Sequence, residues 1–242
     1  MSSTFHGITP GVAFGKPGPF AALVAAGSTL LTGLVSWWDL DEESGVRADS
    51  VIATGNDLTD INTVGYTAGK IGNAASFVSA NAEHLYLASS PIAVSSGDTY
   101  TFAGWVKPAA GKYCGIIRVD FYAILQAGAV GTSLFVTGYS YDGAAAKSVS
   151  AYTGIPHGNW IFLVSEITQP GTVKLWYNGD NLIGESASLA SFLAPNHMHI
   201  NEKDNGQKGD GEVDLVGIWN RVLTADERTE LYNLGAGKDY PF

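Results

Sequence analysis

Acidic residues crowd one glycine-rich stretch near the C-terminus, "NEKDNGQKGDGEVD" (201–214), the first place where this sequence could do chemistry. Glu202 and, above all, Asp204, Asp210, Glu212 and Asp214 offer hard carboxylate oxygens on a pliable backbone, the donor type that suits Ca²⁺. The spacing is not that of an EF-hand, and acidic glycine loops also exist simply as solvated turns. Ca²⁺ here is therefore an expectation for geometry to test. "DLDEESG" (39–45), followed by Asp49, is a second loop of the same kind. "HMH" aims His197 and His199 from one side of a strand. Two histidines make an incomplete Zn²⁺ site and no Cys or third His is near in sequence, so they read as a hydrogen-bonded surface pair. Cys114 lies between apolar residues in "KYCGIIRV" and reads as a small core residue. As the sole cysteine it permits no intrachain disulfide. There is no phosphate-cradling glycine motif and no nucleophile elbow, and the His of "GIPHGNW" has no visible Ser or Cys partner.

The aromatic residues are the other chemical resource. Sugars present apolar C–H faces with polar rims, so exposed rings beside amides and carboxylates suit them. Trp37, Trp176, Tyr139 and Tyr141 are the candidate platforms for carbohydrate, with Asn178 and Asp142 as polar neighbours. The same rings could instead be covered by a loop or a neighbouring subunit. Trp37 and Trp38 sharpen the choice, because successive strand side chains point to opposite faces. Trp38 shares parity with Leu34 and Leu40 and belongs between the sheets. Trp37 faces outward, where the apolar segment 5–32 or a neighbouring chain is expected to cover it.

The elements that must position these residues are mostly strands. The 242 residues are 45% hydrophobic, only 15% charged, and include 30 glycines. Low charge, many turn formers and many aromatics favour an all-β fold. Strand-like runs are expected at 34–40, 57–62, 74–78, 84–88, 99–107, 113–119, 121–126, 132–138, 147–152, 159–168, 172–178, 181–185, 197–201 and 212–220. "WYNGDNL" (176–182) is a hairpin signal. One helix is expected at 224–235, with Thr224 as N-cap, Glu227 completing a capping box and Gly235 as the stop. The first 33 residues differ: they carry one formal charge, Lys16, and are rich in Gly, Pro and Ala. They read as an apolar N-terminal extended arm, 1–33, ahead of a domain at 34–242. The net charge of −10 opposes binding to nucleic acid or anionic membranes. No run is long and apolar enough to span a bilayer, and residues 1–15 hold no Lys or Arg of a signal peptide.

The order of "GLVSWWDLDEESG", "GKIGNAASF", "YTFAGWVKP", "NWIFLVSEITQPGTVKLWYNGDNL" and "EVDLVGIWNRVLTADERTELYN" resembles the laminin-G-like, concanavalin A-like jelly-roll superfamily. The resemblance covers about residues 33–234. It implies an antiparallel β-sandwich of two curved sheets with a short C-terminal helix. Relatives include lectins, adhesion modules, virion surface domains and glucanases, and fold does not choose among them. The glucanases carry a Glu-x-Asp-x-Glu or Glu-x-Asp-x-x-Glu strand. Here "EVDLVG" has Glu212 and Asp214, but Val216 and Gly217 stand where the second glutamate would be. Hydrolysis by paired carboxylates is thus the least favoured expectation.

Two functional expectations follow. The first is a non-enzymatic surface-display module on a phage virion, anchored through residues 1–33 in a homo-oligomer or on other virion proteins. The second is a free carbohydrate-binding lectin, extracellular or at a cell surface, with or without Ca²⁺.

Overall fold

The computed structural model describes residues 28–51, 54–93, 97–120, 123–141, 145–168, 170–187, 195–202 and 207–242. Among them, alternating and fully apolar runs pair into two antiparallel sheets. The first contains β1 (Leu34–Trp38), β3 (Gly65–Ala68), β4 (Asn73–Phe77), β6 (Thr99–Pro108), β11 (Ile161–Thr168), β12 (Val173–Tyr177), β13 (Asn181–Glu185) and β15 (Gly211–Trp219). The second contains β2 (Thr59–Ile61), β5 (His84–Leu87), β7 (Tyr113–Val119), β8 (Ala123–Val130), β9 (Ser133–Tyr141), β10 (Ala146–Pro156) and β14 (Met198–Ile200). Its order is β10-β9-β8-β7-β14-β5-β2. This is the expected sandwich. The sequence reading lacked β3, whose "GYTA" has no apolar alternation to announce it.

The strands apolar on both parities explain themselves in the layers. Ile161, Leu163 and Ile167 of β11 face the core between the sheets, as does Trp38. Phe162 and Val164 point the other way, into a second cluster with Trp37, Trp105, Trp176 and Trp219. The C-terminal segment covers that second cluster. Helix α1 (Ala225–Tyr232) begins at a complete capping box between Thr224 and Glu227 and contributes Leu231, while Tyr240 and Phe242 pack at its margin. The helix ends at Asn233 (φ 46°) and not at Gly235, which closes a following 3₁₀ turn.

Residues 28–33 pack on their own domain. Leu30 is fully buried in the outer cluster, and its carbonyl accepts from Trp219 Nε1 at 2.7 Å. Arg221 donates to the carbonyls of Thr29 (3.0 Å) and Thr32 (2.6 Å). This end of the expected arm is therefore part of the sandwich, and residues 1–27 lie outside the described residues. No helix among the described residues is long and apolar enough to cross a membrane.

Candidate functional site

Neither Trp37 nor Trp176 on the first sheet is a platform. Trp37 is 1% exposed, under Leu30 and the ring of Phe242, whose centroid lies 4.9 Å from its own. Trp176 is 7% exposed because the Arg228 guanidinium lies over it, 4.3 Å from the ring centroid. Asn178 opens the β12–β13 turn at φ 45°, ahead of Gly179 at φ 91°, and its carboxamide oxygen accepts from Phe162 N at 3.1 Å. The carbohydrate expectation for Trp37, Trp176 and Asn178 is thereby corrected: helix α1 and the C-terminus cover the two rings, and the turn occupies the amide oxygen. Asp142 lies outside the described residues.

Among the described residues, the Ca²⁺ set does not converge either. Asp210 accepts from Ser79 N at 2.6 Å and pairs with Lys112 at 3.1 Å. Glu212 pairs with Lys107. Asp214 is fully buried and accepts from Lys70 N at 2.6 Å. Burial pushes its pKa up to about 8, with Asp41 adding to the effect and the amides of Lys70 and Ile71 opposing it. A carboxyl that holds its proton at neutral pH is a poor Ca²⁺ ligand. Asp204 lies outside the described residues. Nor do Glu212 and Asp214 form an accessible pair for a glycoside, since Asp214 is sealed from solvent.

What remains is the outer face of the second sheet, over which no described segment forms a second core. Tyr139 and Tyr141 both stand there, because "SLFVTGYSY" alternates strictly: Leu134 and Val136 go inward, and Phe135, Thr137, Tyr139 and Tyr141 outward. Register turns single strands into rows. One row is aromatic: Tyr152 is opposite Phe135, Phe135 opposite Gly128, and Gly128 opposite Tyr113. Tyr152 is 61% exposed and its ring centroid is 5.0 Å from that of Phe135. Gly128 leaves room for the Tyr113 ring, which a Cβ would meet at 2.4 Å. The next row is polar: Ser150, Thr137 and Gln126. The Thr137 and Ser150 hydroxyls are 3.0 Å apart, and buried Gln126 Oε1 has no partner.

The third row crosses all seven strands as Ser148, Tyr139, Ile124, Arg118, His199, Tyr86 and Thr59. With strands rising about 3.4 Å per residue, Phe135 and Tyr139 stand roughly 14 Å apart along β9 with Thr137 of the hydroxyl row between them.

At its far end the third row becomes charged. Glu202 is held by Arg118 through Oε1 and by Lys208 through Oε2, and His199 Nδ1 lies 3.1 Å from Oε2. The sequence reading of a surface histidine pair is corrected: His199 is 7% exposed, and strand pairing brings His84 to a ring centroid distance of 5.3 Å. Adjacent His197 meets His199 edge-on at 5.0 Å and lies 3.3 Å from Asp120. Burial pushes His199 down to about 4, against the pull of Glu202, and lowers His84 as well. Burial would raise Glu202, but Lys208, His199 and Arg118 together hold it below the usual carboxylate range. Both imidazoles are thus neutral and the carboxylate ionised at neutral pH. Cys114 is buried on the inner side, as expected, with its thiol pushed up by burial.

Residues 80–227, well over half of the chain, match the family model of the concanavalin A-like lectin/glucanases superfamily. The chain belongs to that superfamily. Three solved structures share this lectin-like jelly roll. The binding domain of Paraclostridial Mosquitocidal Protein 1 superposes with TM-score 0.66 at 15% identity, over 83% of this chain and 52% of that one. The binding domain of botulinum neurotoxin serotype G gives 0.61 at 16% identity, over 84% and 51%. Domain 4 of AbnA, a GH43 extracellular arabinanase from Geobacillus stearothermophilus solved with arabinotriose, gives 0.56 at 21% identity, over 81% and 97%. The chain therefore spans about half of the toxin binding domains and nearly all of the arabinanase domain. No match is found among curated protein sequences.

Phe135, Thr137, Gln126, Tyr152, Tyr113, His84 and Arg118 were not singled out in the sequence, and Glu202 was read only as a carboxylate of the 201–214 loop. The period-2 alternation of residues 133–141 was the available signal for the first two. The others come from distant strands and are united only by register.

Proposed function

We propose that this jelly roll is a non-catalytic binding module that takes a glycan on the outer face of its second sheet. One observation carries the reading: the aromatic row on one side and Tyr139 on the other flank a row of hydroxyls and an unpartnered buried amide oxygen on that face. The rings suit the C–H faces of successive sugar residues, and Thr137, Ser150 and Gln126 suit the hydroxyls between them. The arabinanase domain solved with arabinotriose, and a structural neighbour from botulinum neurotoxin type C, whose cell entry depends on two ganglioside molecules, support glycan as the ligand class.

Attachment to a larger assembly, a virion or cell surface, through residues 1–27 is the second part of the proposal. Their charge-poor, Gly- and Pro-rich composition supports it, as does their continuity with residues 28–33, which are tied to the domain.

The test is calorimetry with a panel of oligosaccharides that includes arabinotriose. Tyr152→Ala and Tyr139→Ala are each expected to weaken binding at least about fivefold, or ~1 kcal/mol. Trp176→Ala, on the opposite sheet, serves as the control. Equal affinity in the two tyrosine variants and the wild type overturns the assignment of the face.

A further inference from the structure

The charged end of the third row has a donor set that no glycan needs. His84, His199 and Glu202 bring one ligand atom each to within 4.8 Å of one another. They come from β5, β14 and the turn that follows β14, so the sheet builds the group from residues 84, 199 and 202. His84 Nδ1 lies 3.1 Å from the Ala82 carbonyl. Such a contact makes Nδ1 the donor and leaves the lone pair on Nε2, as is usual for a metal-binding imidazole whose far nitrogen is fixed by a carbonyl. A second observation points to a ligand: His199 Nδ1 is buried, lies 3.1 Å from Glu202 Oε2, and makes no hydrogen bond there. A buried ring nitrogen without a partner is costly unless something fills the gap.

We propose that His84, His199 and Glu202 bind a divalent transition-metal ion of the Zn²⁺ class, with a coordination position left for an outside ligand. Two imidazoles and one carboxylate are a known zinc donor set, and three protein ligands leave the fourth tetrahedral position open. Donor atoms around a tetrahedral Zn²⁺ stand about 3.3 Å apart, so the group must tighten. His84 is only half-buried, and the tightening requires its ring to turn inward about the contact with the Ala82 carbonyl. Arg118 already holds Oε1 and so orients the carboxylate, leaving Oε2 for the ion. Lys208 occupies Oε2 and must swing aside. Its ammonium is therefore the built-in competitor.

The experiment is titration of the whole metal-stripped chain with ZnCl₂ alone at neutral pH, with Co²⁺ as a spectroscopic probe. One ion per chain is expected, with the visible absorption of a four- or five-coordinate Co²⁺. His84→Gln and His199→Gln are expected to weaken binding at least about tenfold, His197→Gln to leave it within about twofold, and Lys208→Met to strengthen it. Should the buried His199 variant fail to fold, the half-exposed His84 variant still decides. No saturation below about 1 mM overturns the proposal, as does undiminished affinity in His84→Gln or an equal loss in His197→Gln. Because no glycan is present, the result is independent of the proposed binding face.

Discussion

Arg228 lies with its guanidinium carbon 4.3 Å from the centre of the Trp176 ring, and its Nη1 donates to Glu166 at 2.7 Å. One side chain of helix α1 thus caps an indole, neutralises a buried carboxylate and, through Nε, reaches Asp180 at 2.9 Å. Burial already pushes Glu166 up to about 7 against the pull of Arg228. In Arg228→Ala the acid therefore takes up a proton, and the unmet hydrogen bonds cost about 1–3 kcal/mol. Urea unfolding is expected to show a loss of that size. Arg228→Lys should recover only part, since an ammonium cannot stack flat and donate to two carboxylates at once. Full recovery by lysine would show that charge alone matters.

The chain start gives a second test. A chain beginning at Ser28 keeps Leu30 over Trp37 and Trp219 and retains the bonds from Arg221. A chain beginning at Leu34 loses all of these. The shorter one is expected to be less stable by about 2–5 kcal/mol, the range for removing a buried leucine. Equal melting temperatures for the two would show that residues 28–33 do not seal the outer cluster.

Asp214 sets a slope with pH. Its folded pKa of about 8 lies above its ordinary value of 3.8, because burial disfavours the anion. Between those values the unfolded chain has released this proton and the folded chain retains it. Its contribution to stability is therefore full below the ordinary value and is lost as pH rises toward 8, by at most ~1.4 kcal/mol per pH unit. Asp214→Asn removes the proton from the balance. Thermal melts from pH 5 to 8 are expected to show a flatter profile for the variant, and parallel profiles would contradict the buried acid.

Glu227 works in the opposite direction. Burial would raise it, but Arg221, Thr29 and the amide of Thr224 bring it down to about 2. Its contribution is present above the ordinary carboxylate range and is lost as pH falls toward 2. Glu227→Gln should lower stability at neutral pH, by about 1 kcal/mol or more from the lost capping box and ion pair. The gap to wild type should close on acidification, as followed by urea midpoints from pH 5 to 2.

Local pattern carried most of the fold and little of the site. "NWIFLVSEI" announced a strand covered on both faces, and Phe162 and Leu163 do enter different cores. "TADERTELYN" announced its capping box, and Trp37 and Trp38 parted as alternation requires. The cover over Trp37 was expected from the apolar segment that holds Leu30. The cover over Trp176 was not legible, because Arg228 reaches it from 52 positions further along the chain. His84 and His199 are likewise joined only by β5–β14 pairing. Alternation tells which way a residue points, and only topology tells what it then meets.

Gly128 offers a test of the proposed binding face that displaces one ring of the platform without deleting it. A Cβ there would come within 2.4 Å of the Tyr113 ring, so Gly128→Ala must push that ring off the aromatic row. Overpacking of this kind costs about 1–3 kcal/mol of stability, and the sheet should survive it. If the row of Tyr113, Phe135 and Tyr152 acts as one platform, Gly128→Ala should weaken oligosaccharide binding about as much as Tyr113→Ala does. The two substitutions combined should weaken it little more than either alone, because both remove the same ring. Calorimetry on the two single variants and the double variant measures this. Additive losses would mean that Tyr113 and Gly128 contribute separately, and the row would no longer be a single surface.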